Sequence, residues 1–121
     1  MSIFLKIKRM KKEEHYLQSS CVKWFDLQYP KKTKQLFAVP NGGKRNVVVA
    51  KQLKAEGVRA GVADLILLTD NGKVVFIEMK TDKGRQQLTQ IHFQNTVTML
   101  GHLYVIVRTF EEFKNVIEKS L

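Results

Sequence analysis

The stretch DLILLTDNGKVVFIEMK, residues 64–80, holds two apolar runs, Leu65–Leu68 and Val74–Ile77, separated by Asp70-Asn71-Gly72. Short aliphatic and β-branched runs flanking an Asn-Gly pair read as the two strands of a hairpin. Side chains alternate faces along a strand, so Glu78 and Lys80 project from one side of the second strand while Ile77 and Met79 project from the other. A carboxylate and an ammonium leaving an apolar strand side by side are costly unless chemistry at that surface uses them.

The turn decides where Asp64 points. A two-residue type I′ turn at Asn71-Gly72 pairs Asp70 with Lys73 and turns Asp64 away from Glu78. A three-residue loop, Asp70-Asn71-Gly72 with Gly72 left-handed, instead pairs Thr69 with Lys73. It sets Asp64 opposite Glu78 on one face, with Cβ atoms about 5 Å apart. Two carboxylates that close repel each other unless a cation lies between them. A working site on this hairpin therefore requires the three-residue loop.

Outward from the hairpin, the remaining pattern is regular. The sequence predicts a helix over about Lys12 to Tyr29, with Leu17, Cys21, Trp24, Phe25 and the stem of Gln28 on one stripe and Pro30 as its end. Glu14 belongs to that same stripe. Residues 1–10 read as a basic arm or a short edge strand, with residues 11–121 forming a single domain. Gln35–Val39 is a strand, Asn46–Glu56 a helix with Val47, Ala50 and Leu53 inward, and Gln87–Leu100 a helix bearing Ile91, Phe93, Val97 and Leu100. His102–Val107 is a fourth strand, and Phe110–Leu121 a closing helix. The order α-β-α-β-β-α-β-α predicts an α/β fold with a mixed four-stranded sheet flanked by helices.

Composition narrows the class. At 121 residues with 44% hydrophobic side chains, the chain is long enough for one core without disulfides. The single cysteine, Cys21, sits at a core position, which suits a reducing cytosol. No apolar run reaches the length of a membrane span. Net charge is +10, and it is polarised: residues 1–59 hold 14 Lys/Arg against 4 Asp/Glu, whereas residues 60–121 hold 7 against 7. Such asymmetry attracts a polyanion to one side, and nucleic acid is the expected partner.

Phosphodiester hydrolysis uses the residues gathered at the hairpin. Asp64 and Glu78 are hard oxygen ligands for Mg²⁺ or Mn²⁺, with the main-chain carbonyl of Met79 as a third and Glu14 completing the shell directly or through water. Lys80 stands beside the metal, ready to position water or offset charge on the phosphoryl oxygens. Gln90 is a candidate to hold the water or a phosphate oxygen. Asn41-Gly42-Gly43-Lys44-Arg45 is a basic turn whose freed N–H groups suit a nucleic-acid backbone, although it lacks the Walker pattern. A surface ion pair for Glu78 and Lys80, and a helix-terminal role for Glu14, are the plainer alternatives. His15, His92 and His102 lack zinc-ligand spacing.

The ordered set Asn41-Gly42-Gly43-Lys44-Arg45, Leu53-Lys54 to Gly57, Gly61-Val62-Ala63-Asp64-Leu65, Ile77-Glu78-Met79-Lys80, Gly84-Arg85 and Gln90 resembles the virus-type replication-repair nuclease (VRR-NUC) domain. This is a branch of the PD-(D/E)xK nuclease superfamily, and the resemblance spans roughly Lys12 to Val107. It implies a restriction-endonuclease-like fold and a metal-dependent nuclease with Asp64, Glu78 and Lys80 as its catalytic core. Glu14 and Gln90 are implied as accessory residues, and Lys83 and Arg85 join the turn at 41–45 in the DNA-binding set. Two departures stand out: Ala63 replaces the usual proline before the aspartate, and Gln87 stands where a serine commonly opens the helix. Compact phage and bacterial members resemble homodimeric, Holliday-junction resolvase-like enzymes of the cytoplasm, without a small organic cofactor. A flap or nicking nuclease, or a non-catalytic DNA-binding module, would keep the same fold.

Overall fold

The computed structural model describes residues 2–40 and 47–121. Along the chain lie α1 (Ile3–Gln28), a 3-10 turn (Thr33–Gln35), β1 (Leu36–Ala38), α2 (Val47–Ala55), β2 (Leu65–Leu68), β3 (Val74–Met79), α3 (Leu88–Met99), β4 (Leu103–Val107) and α4 (Phe110–Ser120). The strands form one sheet in the order β1-β2-β3-β4. β1 and β2 pair antiparallel, as do β2 and β3, whereas β4 runs parallel to β3 and is reached through α3. This is the expected α/β order with a mixed four-stranded sheet.

The hairpin takes the three-residue loop. Leu65 pairs with Ile77 and Leu68 with Val74, and the Thr69 N–H bonds the Lys73 carbonyl at 3.0 Å. Gly72 adopts φ +84°, the left-handed conformation that this loop demands. Asp70 is tied back by Lys32 Nζ at 2.6 Å and Gln35 Nε2 at 3.0 Å, which anchors the loop to the approach to β1.

Alternation splits the sheet into two unequal faces. On one, Leu65, Leu67, Val75, Ile77, Met79 and Val107 meet Cys21 and Phe25 of α1 and Phe113 and Ile117 of α4 in the main core. Trp24 makes edge-on contacts with Tyr29, Phe110 and Phe113, locking α1 against α4. The other face carries a thinner cluster, with Phe76, Tyr104 and Ile106 of the sheet beneath Phe93 and Val97 of α3.

Three helices depart from expectation. Residues 3–10 are not an edge strand but the mostly exposed first turns of α1, which is continuous from Ile3 over 26 residues, about 39 Å. The Ser2 hydroxyl caps it by accepting the Leu5 N–H at 3.2 Å. The apolar spacing of the stripe continues upstream of Glu14 as Met10, Ile7 and Ile3, of which Met10 is half-buried and Ile7 and Ile3 are exposed. Gln28, expected inward, is exposed. On α2, Val47 and Ala50 are exposed and only Leu53 is half-buried; Asn46 lies outside the described residues. On α3, Ile91 and Leu100 are exposed, since the inward stripe is Gln90, Phe93, Gln94 and Val97.

Gly61 sets the distance between α3 and the hairpin. At φ +84°, a Cβ built on it would lie 2.3 Å from the Thr89 carbonyl oxygen. Gly61→Ala should therefore destabilise by more than about 2 kcal/mol in urea unfolding. Gly72→Ala, with open space around the added carbon, should cost only about 1 kcal/mol.

Candidate active site

The β2–β3 register, carried one residue further, sets Asp64 opposite Glu78. Asp64 leaves the ladder at that point. Its side chain takes over the hydrogen bond, Oδ2 accepting the Met79 N–H at 2.7 Å, while its main-chain carbonyl accepts the Val39 N–H at 2.9 Å. The carboxylate is thus fixed by β3 itself, with no hydrogen bond to Oδ1 among the described residues.

Glu78 has no solvent exposure. Its Oε1 accepts from the Tyr104 hydroxyl and from Gln86 Nε2, the latter at 3.0 Å. Its Oε2 has no hydrogen-bond partner; the nearest cation, Lys80 Nζ, stands 3.7 Å away, an ion pair beyond hydrogen-bond length. Lys80 is itself buried, and its N–H continues the parallel ladder to the Val107 carbonyl at 3.0 Å.

Glu14 of α1 joins this group from the opposite layer. Burial pushes its carboxyl above the usual range; Lys80 and the Thr81 N–H pull it back, and Asp64 and Glu78 push it up again. Burial likewise raises the Asp64 carboxyl, opposed by the Met79 N–H and Lys80 and reinforced by Glu78. Each of these groups senses the others, so Glu14, Asp64, Glu78 and Lys80 form one electrostatic cluster.

The remaining expected residues are placed differently. Gln90 spends its Oε1 on the Gln87 N–H at 2.7 Å, closing the first turn of α3 and making good the missing serine cap. The glutamines that reach the site are Gln86 and, behind it, Gln94, whose Oε1 accepts from Gln86 Nε2 at 2.8 Å. Lys83 and Arg85 are exposed on the loop after β3. Lys83 lines a groove of about 510 Å³ with Lys6, Arg9 and Met10 of α1, reaching Thr81 beside the site. Asn41, Gly42, Gly43, Lys44 and Arg45 lie outside the described residues. Cys21 is buried and its thiol is pushed up to about 12 by burial, which excludes a nucleophilic role.

The loop itself is held from β4. Arg108 donates to the carbonyls of Thr81 at 2.6 Å, Asp82 at 3.3 Å and Gly84 at 2.8 Å. Gly84 is buried against the Lys80 stem, where an added Cβ would sit 3.3 Å from Cδ. Burial, then the bond to Glu78, raises the Tyr104 hydroxyl far above its ordinary value, so it remains a donor.

The donor set fits a hard divalent cation. Two facing carboxylates each retain an oxygen, one of them buried and unpartnered. Among the described residues no three His, Cys, Asp or Glu side chains are gathered to hold a metal. A cation here would rest on Asp64 and Glu78, with main-chain or water oxygens completing the shell and Glu14 acting from outside it.

The sequence matches the VRR-NUC domain family over residues 4–110. The chain belongs to the VRR-NUC family. A solved VRR-NUC domain protein superposes with TM-score 0.74 at 20% identity, covering 89% of this chain and 87% of its own. A second solved VRR-NUC domain gives TM-score 0.53 at 17% identity, covering 83% of this chain and 92% of its own. No curated protein matches the chain. VRR-NUC domains are of a nuclease type. Among the described residues no helix of this VRR-NUC domain is long and apolar enough to cross a membrane.

Raised carboxyl pKa values mean that the folded VRR-NUC domain holds protons at Asp64 and Glu14 more tightly than the unfolded chain. Stability from this source is full below the ordinary carboxylate value of about 4 and declines as pH rises through the raised folded values. Above that window a cation at the site would take the proton's place. Mn²⁺ at a hundredfold over its Kd should add about 2.7 kcal/mol, several degrees in Tm, at pH 8. Near pH 4.5 the gain should be much smaller. Differential scanning fluorimetry at both pH values checks this, and equal shifts would contradict it.

Proposed function

We propose that this VRR-NUC domain is a Mg²⁺- or Mn²⁺-dependent DNA endonuclease that hydrolyses phosphodiester bonds in branched DNA, acting in the cytoplasm as a symmetric, junction-resolving homodimer. The observation that carries the reading is the meeting of Asp64, Glu78 and Lys80 with the buried, unpartnered Oε2 of Glu78 facing the ammonium. A binding module has no use for carboxylates whose burial raises their energy next to a polyanion.

A divalent ion bound by Asp64 and Glu78 would polarise the scissile phosphate and lower the pKa of an attacking water. The chain's own residues supply the remainder. Asp64, fixed by the Met79 N–H, holds its free oxygen in one place without needing to reorganise. Lys80, buried and positioned by Glu78 and Gly84, presents a fixed positive charge where the phosphoryl oxygens become more negative. Glu14, whose carboxyl burial holds above the usual range, would serve as a proton acceptor within the cluster.

Substrate hold falls to the basic side. Lys6, Arg9 and Lys83 flank the groove that leads to Thr81, and Arg85 is exposed nearby; these are phosphate contacts without sequence readout. Large apolar side chains are exposed at the start of α1 (Ile3, 72%) and on α2 (Val47, 68%). That surface is the kind a second copy covers in a two-fold dimer.

Labelled four-way junction, flap and plain duplex DNA, each with Mg²⁺ or EDTA, test the proposal. Symmetric paired nicks on the junction are expected, lost in EDTA and reduced at least about a hundredfold in Lys80→Ala and Asp64→Asn. Preferential cutting of the flap would reassign the substrate, and metal-independent binding without cleavage would leave only a DNA-binding module. Affinity should fall steeply with salt, and Lys83→Glu should reduce that slope by about one phosphate contact. Light scattering in solution should return twice the 14.0 kDa chain mass.

A further inference from the structure

Glu78 is asymmetric in a way that its neighbours impose. One oxygen receives two donors, the Tyr104 hydroxyl and Gln86 Nε2, and the other receives none. The donors come from separate places. Tyr104 lies on β4 opposite Phe76, diagonal to Glu78 on the same face, and its ring is held edge-on by Phe93. Gln86 arrives from the loop that Arg108 pins through three carbonyls. Gln94 accepts the second N–H of Gln86, which forces that amide to turn its nitrogen, and not its oxygen, toward the carboxylate.

We infer that Tyr104 and Gln86 are positioning residues that saturate Oε1 of Glu78, with Gln94 orienting Gln86, so that this carboxylate meets a divalent cation through Oε2 alone. This rests on the proposed metal-dependent activity and adds what selects the coordinating oxygen. Carboxylates free to rotate swing between one-oxygen and two-oxygen coordination. Held as it is here, Glu78 has its ligand geometry set before the ion arrives, and Lys80 stays beside the oxygen that takes the ion. Outer contacts of this kind commonly govern metal affinity by about 10- to 100-fold. Gln94 touches neither Glu78 nor a cation and acts only through Gln86.

Tyr104→Phe keeps the ring among Phe76 and Phe93 and removes only the hydroxyl, while Gln86→Leu keeps the volume and removes the donor. Mn²⁺ binding by isothermal titration calorimetry should weaken about tenfold in each variant. Gln94→Glu, which still accepts from Gln86, should bind Mn²⁺ within about threefold of the parent chain, whereas Gln94→Leu should weaken it. Cleavage by Tyr104→Phe should recover toward the parent rate at high Mn²⁺, the mark of lost affinity and not of lost chemistry. The electron paramagnetic resonance line shape of bound Mn²⁺ should also broaden or split as a second carboxylate oxygen becomes available. Circular dichroism melts keep folding separate from binding. If the parent chain binds Mn²⁺ and cuts DNA while Tyr104→Phe and Gln86→Leu bind it equally well, this inference fails and the nuclease reading stands. If the parent chain binds no Mn²⁺ and cuts nothing, both fall.

Discussion

A carboxylate without solvent exposure, Glu78, is the constraint to which the site answers. A buried charge left alone is far too costly, so the fold surrounds it with donors and a cation. The parallel pairing of β3 with β4 brings Tyr104 to it. The loop after β3 returns Gln86, and the residue two positions on in the same strand supplies Lys80. What these partners leave is one oxygen, and the antiparallel hairpin brings Asp64 to face it. Local charge, strand register and loop path are three aspects of one arrangement.

The two sides of the sheet divide the work. Aromatic and aliphatic contacts among α1, α4 and the sheet make a deep core that gives the strands a fixed frame. The opposite face has only Phe76, Phe93, Val97, Tyr104 and Ile106 under α3, and polar groups fill its remaining space. Close packing resists small displacements, so the carboxylates of Asp64, at the head of β2, and Glu78, in β3, keep their separation. Glu14 bridges the layers because α1 packs on the deep core with one part of its length and passes the ends of the strands with another.

Much of this was legible in the residues. Alternation in Val74–Met79 placed Glu78 and Lys80 on one face, and the demand that Asp64 join them selected the three-residue loop that the chain adopts. Asp64, Glu78 and Lys80 are charged groups whose burial is costly, and that cost marks them out in the sequence. Gln86, Gln94 and Tyr104 gave no such signal, because neutral polar side chains and a tyrosine are equally at home on any surface. The α3 stripe was misread for the same reason: hydrophobic periodicity cannot see a helix whose inward positions include Gln90 and Gln94. Exposed Val47 on α2 erred in the opposite direction, since apolar residues also occupy open surface. The upstream turns of α1 were missed because Ile3 and Ile7 of their stripe stay exposed among the described residues, so pattern and burial disagree there.

Arg108 gives the segment from Thr81 to Gln86 an unusual character for irregular backbone. Surface connections ordinarily accept extra residues at little cost. Here three carbonyls converge on one guanidinium, and the chain between them closes like a macrocycle around a bound cation. One residue more or less would shift the amide of Gln86 by up to about 3.5 Å, well outside hydrogen-bond reach of Glu78. The stretch is therefore defined by its number of atoms as much as by its side chains, and its length belongs to the geometry around Glu78.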